Sequence, residues 1–247
     1  FEDPENWQSA DGTTDPSASD TFQLHDTASV LSDIEAALAE LERRHPGVPV
    51  HLAGVGLMGG FVLVAAEAQP ERVASVTAFG TPGLFIFPAE PPPLPAPGRP
   101  AVRLERSDLL ARWSPMVRRL EQVDRATFDR AWAALMSSAP GGGPVLRPSV
   151  TAWGLTPERV GRVDRPVLLA YGTHDFEAPD FLVRALYDAL DSAPRRWMVE
   201  VERVSHFAFW ESIRTRLFEL HRRWILEAEQ VGREDGVGRF DGVSFVW

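Results

Sequence analysis

The sequence predicts an α/β fold: a mainly parallel sheet with helices on both faces, interrupted by a helical insertion. Two observations carry this. Strand, helix and strand patterns follow one another with short links between residues 48 and 79, the signature of a parallel sheet covered by helices. The same alternation resumes at Val167 and runs to Val204, after a middle segment that reads as helical. Within this frame the spacing predicts residues 48–54, 73–79, 167–171 and 197–204 as neighbouring strands.

The elements follow in order. The first 25 residues are rich in Asp, Ser, Thr and Pro, show no apolar period, and read as a loop. Val30, Leu31, Ile34, Leu38 and Leu41 then recur at three- and four-residue steps, with Asp26 as the cap and His45-Pro46-Gly47 as the stop. Val48 to Ala53 is a short apolar run that enters Gly54-Val55-Gly56-Leu57-Met58-Gly59-Gly60, and Phe61 to Ala68 reads as a buried helix stopped near Pro70. Val73 to Phe79 is the next strand. Residues 81–100 hold so many prolines, Pro91-Pro92-Pro93 among them, that they form neither a central strand nor a long helix. Beyond that linker, Leu109, Leu110, Trp113, Met116, Val117 and Leu120 predict one amphipathic helix, and Phe128, Trp132, Leu135 and Met136 a second, ended by Gly141-Gly142-Gly143-Pro144. Val167 to Tyr171, a helix over Phe181 to Leu190, a strand over Trp197 to Val204 and a helix from about Phe209 to Glu227 complete the core. The expected organisation is thus a first core part (1–84), a helical insertion (85–160), a second core part (161–228) and a tail (229–247), with no internal repeat at solenoid periods.

Composition narrows the function. The chain has 247 residues, enough to bury a substantial apolar interior, and its hydrophobic (44%) and charged (24%) fractions are those of an ordinary globular domain. A net charge of −10 disfavours a phosphate backbone or an anionic membrane, both of which need clustered cations, so neither nucleic acid nor membrane is expected as a partner. There is no cysteine, which removes disulfides, thiolate catalysis and cysteine metal sites, and fits a reducing, cytoplasmic setting. There is no lysine either, a bias without chemical meaning here. His25, His45 and His221 lack ligand spacing, so no metal is expected. The glycines 54, 56, 59 and 60 do not keep the dinucleotide spacing, and no cofactor is called for.

One constellation carries chemistry. His51-Leu52-Ala53-Gly54-Val55-Gly56-Leu57-Met58-Gly59-Gly60, Pro70-Glu71-Arg72-Val73, Gly80-Thr81-Pro82-Gly83, Gly172-Thr173-His174-Asp175 and Ser205-His206-Phe207 resemble, in order and spacing, the landmarks of the α/β-hydrolase superfamily over residues 1 to about 228. In that family a nucleophile on a tight strand-to-helix turn is followed by an acid and then a histidine. The resemblance therefore implies the α/β-hydrolase fold, Asp175 as the acid and His206 as the histidine, both at carboxyl ends of strands.

The departure lies at the turn. The family's G-x-S-x-G needs a serine between glycines, and no serine occurs between Val48 and Ser75. Counting back about fourteen residues from Pro70 puts Gly56 at the nucleophile position; reading the glycines literally puts Met58 there. The first register is preferred. Neither residue can attack a carbonyl, since glycine has no side chain and a thioether has no proton to lose. A second departure is at the amino end, where Phe1 to Asp11 resembles the turn after the family's fourth strand. The resemblance then leaves the earlier strands and one oxyanion donor unaccounted for, with truncation, a partner chain or second copy supplying strands, and a permuted order all open. The tail, Gly238 to Trp247, carries an Asp-Gly turn ahead of an apolar run and resembles a hairpin of the family's first sheet at the wrong end.

Each reading has a plainer counterpart. Asp175 would serve as a helix cap, His206 as an interior histidine, and Trp113, Met116, Phe128, Trp132 and Met136 as packing of a small helical layer. In the family an insertion at this place forms a lid over an apolar pocket, for which Met58, Trp113, Trp132 and Phe207 are the candidate lining. The expected function is acid/base chemistry by His206 and Asp175 on a small apolar or acyl substrate, without a covalent intermediate: water activation, elimination, cyclisation or carbon–carbon cleavage. The alternatives are an inactive pseudohydrolase acting as a binding or scaffolding subunit, and an ordinary esterase or thioesterase whose serine has been replaced.

Overall fold

A computed structural model of the protein describes residues 25–84, 102–103, 106–107, 124–138, 146–147, 150–151, 153–227 and 235–246. The expected loop before residue 25, the proline-rich linker, the helix around Trp113 and the stop at Gly141–Pro144 lie essentially outside these residues.

Helix α1 (Thr27–Arg44) starts where the sequence placed it. Asp26 accepts from the Ser29 N–H at 2.8 Å and Ser29 Oγ accepts from the Asp26 N–H at 3.0 Å, a reciprocal cap that satisfies two end donors. Thr27, fully buried, ties the helix start to Trp153 by donating to its carbonyl (2.9 Å) and accepting from its N–H (2.8 Å). Strand β1 (His51–Val55) follows and passes through Gly56 into α2 (Leu57–Ala68). The strand begins three residues later than expected, after Pro49, which has no N–H to donate to a ladder. Helix α2 is apolar nearly all round, with Gly59 to Ala66 buried, as a helix enclosed by the core must be.

Strand β2 (Ser75–Phe79) is followed, in the middle segment, by helix α3 (Arg125–Ser138), which covers the second predicted helix there. The short α4 (Pro157–Gly161) leads to β3 (Val167–Gly172), α5 (Asp180–Asp188), β4 (Arg196–Val201), α6 (Thr215–Glu227), β5 (Asp235–Phe240) and β6 (Phe245–Val246). The sheet order is β6-β5-β4-β3-β2-β1, with β1 to β5 parallel and β6 antiparallel to β5. The four strands expected to be neighbours are neighbours, in sequence order.

Two expectations are corrected. The strand expected to reach Val204 ends at Val201, because Arg203 takes a left-handed φ of 60° and its N–H donates to Thr173 Oγ1 at 2.8 Å, turning the chain toward His206. The final helix does not begin at Phe209. A single 3-10 turn (Ala208–Trp210) ends at Glu211, whose extended backbone (φ −89°, ψ 154°) breaks the helical path, and α6 starts at Thr215. The tail does form a hairpin: Asp241 Oδ1 accepts from the N–H groups of Val243 (2.7 Å) and Ser244 (2.9 Å). It joins the main sheet beside β4, through the parallel strand β5, rather than forming a separate first-sheet unit.

The sheet has apolar layers on both sides. Val167, Leu169 and Met198 point to the layer of α2, α4 and α5, while Leu168, Ala170, Trp197 and Val199 point to that of α6. Val183 and Leu186 close the first layer; Leu217, Leu220 and Trp224 close the second. Burying each such side chain contributes about 1.5–3 kcal/mol, so the central strands are held from both faces. Leu155 and Val160 belong to the first layer, and Glu67 of α2 fixes α4 by paired bonds to Arg159 (2.7 and 3.0 Å) and Arg162 (2.8 and 3.0 Å).

Candidate active site

Four glycines allow the carboxyl ends of the strands to converge. A Cβ on Gly54 would meet the Met58 carbonyl at 2.3 Å, so only glycine permits β1 to turn this tightly into α2. Gly56 forms the turn itself, with φ 57° and ψ −127°, a region that costs any other residue about 1–3 kcal/mol. Gly59 lies so close to Ala78 and Thr81 that α2 rests directly on β2 and the turn after it. At the end of β3, a Cβ on Gly172 would meet the Val204 carbonyl at 2.0 Å, which presses the Asp175 turn against the His206 turn.

Asp175 is buried and heavily engaged. Its Oδ1 accepts from the N–H groups of Glu177 and Ala178, both at 2.9 Å, and its carboxylate faces His206 Nδ1 at 3.0 Å (Oδ2) and 3.2 Å (Oδ1). Charge-assisted bonds of this kind contribute about 1.5–3 kcal/mol each. Asp175 is not the cap of α5: that place belongs to Pro179, which supplies no side-chain bond. The carboxylate instead sets the imidazole with Nδ1 inward and Nε2 outward. Behind the ring, Ser205 is fully buried, its N–H donating to Glu211 (3.3 Å) and its hydroxyl accepting from the Phe207 N–H (3.1 Å), which fixes the backbone on either side of His206.

The outward nitrogen looks at Gly56. A Cβ built on that glycine would stand 3.2 Å from His206 Nε2 and 3.4 Å from Cε1. Gly56, Asp175 and His206 thus come together, whereas Met58 is the second residue of α2 and has an exposed side chain. Phe207 meets the His206 ring edge-on (5.6 Å) and stacks on Trp210 (5.3 Å). Trp210 packs edge-on against Phe128 of α3 (5.3 Å), and its carbonyl accepts from the Asp124 N–H (3.2 Å). Asp124 also bonds Arg214; the Thr127 N–H and hydroxyl first, then Arg214, hold its carboxyl down to about 2. Helix α3 and the residue before it, Asp124, are therefore anchored to the His206 turn. Trp132 of α3 is half-buried, and Trp113 lies outside the described residues.

Two site residues escaped the sequence reading. Gly80, at the end of β2 with φ 57°, is so near the pair that a Cβ there would lie 2.8 Å from Asp175 Oδ2 and 3.1 Å from His206 Nδ1. Glu177 places Oε2 3.6 Å from His206 Nε2. A lone Glu two residues past the acid has no periodicity or motif to mark it; Gly80 was visible only as part of a strand-end motif. At the opposite end of the sheet, His51 Nδ1 and Ser75 Oγ lie 2.7 Å apart, and His221 Nδ1 and Thr77 Oγ1 3.0 Å apart. Burial depresses both imidazoles, with the charge of His51 a further cause for His221. Among the described residues, no group of three or more His, Asp and Glu is arranged to hold a metal ion, and no helix is long and apolar enough to cross a membrane.

Comparison with known proteins agrees with the fold. The chain is similar to a serine hydrolase involved in carbazole degradation (the CarC enzyme), with a TM-score of 0.54 at 14% identity, over 81% of this chain and 70% of that one. It also resembles a thioesterase domain from the curacin biosynthetic pathway (TM-score 0.49, 14% identity, 75% and 69% covered) and the monoacylglycerol lipase of Paleococcus ferrophilus (0.44, 17%, 77% and 73%). No curated protein sequence matches the chain significantly. The profile described as "Alpha/beta hydrolase family" matches residues 7–218. With this match and a mostly parallel six-stranded sheet, the chain belongs to the alpha/beta hydrolase family.

Proposed function

We propose that the protein is an enzyme of hydrolase ancestry that works without a covalent serine intermediate, His206 exchanging protons directly with a small apolar or acyl substrate, or with water, above Gly56. The observation that supports this is the pairing of a buried, three-bonded Asp175 with an imidazole whose other nitrogen faces a glycine. A carboxylate so placed holds the ring in one tautomer and stabilises the imidazolium that forms when Nε2 takes a proton. A glycine at the turn leaves room for a substrate atom to approach Nε2, which suits proton abstraction, elimination or activation of water. Phe207 and Trp210 supply aromatic surface beside the imidazole, and the anchored α3 is the proposed base of a lid.

The test is a substrate panel of short aryl esters, β-diketones and β-hydroxy carbonyl compounds, run on wild type, His206→Ala and Asp175→Asn. A working acid/base pair predicts turnover of at least one class, reduced about 10²–10⁴-fold in each variant. Turnover equal in wild type and His206→Ala would remove the histidine from the chemistry. Binding without turnover in every protein would favour a binding subunit.

A further inference from the structure

The carboxylate of Glu177 lies 3.6 Å from His206 Nε2, the ring nitrogen that also faces Gly56, and this bears on which way the proton moves. Asp175 accepts at Nδ1, so in the neutral ring Nε2 is the nitrogen that carries no hydrogen. At 3.6 Å from that nitrogen stands Glu177 Oε2, on a side chain only a quarter exposed. A lone pair facing a carboxylate is repulsive unless a proton lies between them. With the proton present, the ring is a cation flanked by two carboxylates, and each contact becomes attractive.

We infer that Glu177 is a positioning residue that acts through His206, keeping one proton on the Glu177–His206 pair so that the site begins its cycle as a proton donor. This rests on the proposed function and narrows it to the direction in which His206 gives up a proton first. The step balances simply. The Nε2–H bond breaks as a bond forms between that proton and an oxygen of the substrate: a carbonyl oxygen, or the oxygen of a C–O bond that breaks as a neighbouring C–H gives its proton to water and a C=C bond forms. The ring is left neutral beside the Glu177 carboxylate, and a proton from solvent restores it. The substrate class this fits has a polarised or leaving oxygen attached to an otherwise apolar body.

Among the described residues, the carboxylates placed at ion-pair distance from the ring are Asp175 at Nδ1 and Glu177 at Nε2, both from the loop after β3. The turns from β1 and β2 present Gly56 and Gly80, which carry no charge. From the ring's own turn, Glu211 points to the Ser205 N–H. The backbone of Glu177 is tied to the same carboxylate, its N–H donating to Asp175 Oδ1 at 2.9 Å.

The pairing can be measured without knowing the substrate. Imidazole titration by NMR on the full chain, in wild type, Glu177→Gln, Glu177→Asp and the distant control Glu200→Gln, reads it directly. Glu177→Gln is expected to lower the His206 midpoint by about one pH unit or more, the scale for losing an opposite charge within about 4–6 Å. Glu177→Asp should retain part of the shift, and Glu200→Gln none of it. A Glu177→Gln midpoint within about 0.2 units of wild type, where a lost neighbouring charge should move it by about one unit, would overturn the inference. So would an equal shift in Glu200→Gln. Failure of His206→Ala to affect turnover would instead strike the catalytic reading and leave the titration result intact.

Discussion

Gly80 and Asp175 are in contact in a way that excludes a side chain: a Cβ on Gly80 would stand 2.8 Å from Asp175 Oδ2. The end of β2, which holds none of the expected site residues, therefore sets the space into which the acid and the imidazole fit. Gly80→Ala should push the carboxylate off His206 and strain a backbone at φ 57°. Its expected signature is loss of the downfield Nδ1–H resonance of His206, with about 1–3 kcal/mol of lost stability in urea unfolding. A variant that keeps this resonance and full stability would show that the contact gives way cheaply.

Gly56 bears on ancestry. Wild-type protein should not be labelled by a fluorophosphonate probe. The Ser205 hydroxyl is buried and turned to the Phe207 N–H, and Ser75 is buried at the far end of the sheet against His51. Gly56→Ser should be labelled and should cleave short p-nitrophenyl esters weakly. The gain is limited because a Cβ at 3.2 Å from Nε2 forces the ring to give by a few tenths of an ångström. An unlabelled Gly56→Ser protein that remains folded would mean that the turn does not aim a hydroxyl at His206. Stoichiometric labelling of wild type would point to a nucleophile elsewhere.

Acid should weaken the fold through His51 and His221. Burial lowers both imidazoles in the folded chain below the ordinary value of 6.5, so the unfolded chain binds more protons across that window. The stability they contribute is present above about pH 6.5 and is lost as pH falls through their depressed values. Urea unfolding at pH 7.5 and 5.5 should show a smaller pH dependence in His51→Asn/His221→Asn than in wild type. His206 is unchanged in both proteins and cancels in the comparison. Equal slopes would show that the two rings titrate alike folded and unfolded.

Local signals were legible wherever a short stretch of chain settles its own conformation. The Asp26 cap, the strand–helix alternation and the order of the four expected strands rest on periodicity and capping, which neighbours in sequence decide. The glycine-rich turn from β1 into α2 was legible too, because the switch from strand to helix falls where the apolar run meets the glycines. The end of β4 at Val201 and the break at Glu211 were not, since both depend on partners far away: Thr173 for Arg203 and Ser205 for Glu211.

The sequence by itself determined the α/β class, the order of the landmarks and the glycine at residue 56, because composition, period and spacing are properties of the chain. Only the tertiary structure decided that Asp175 lies 3.0 Å from His206, that Gly80 makes room for both, and that Glu177 stands beside Nε2. These relations join the ends of three separate strands and the loops after them, and distances between such ends are set by sheet register and by packing on both faces. No pattern along one segment encodes them.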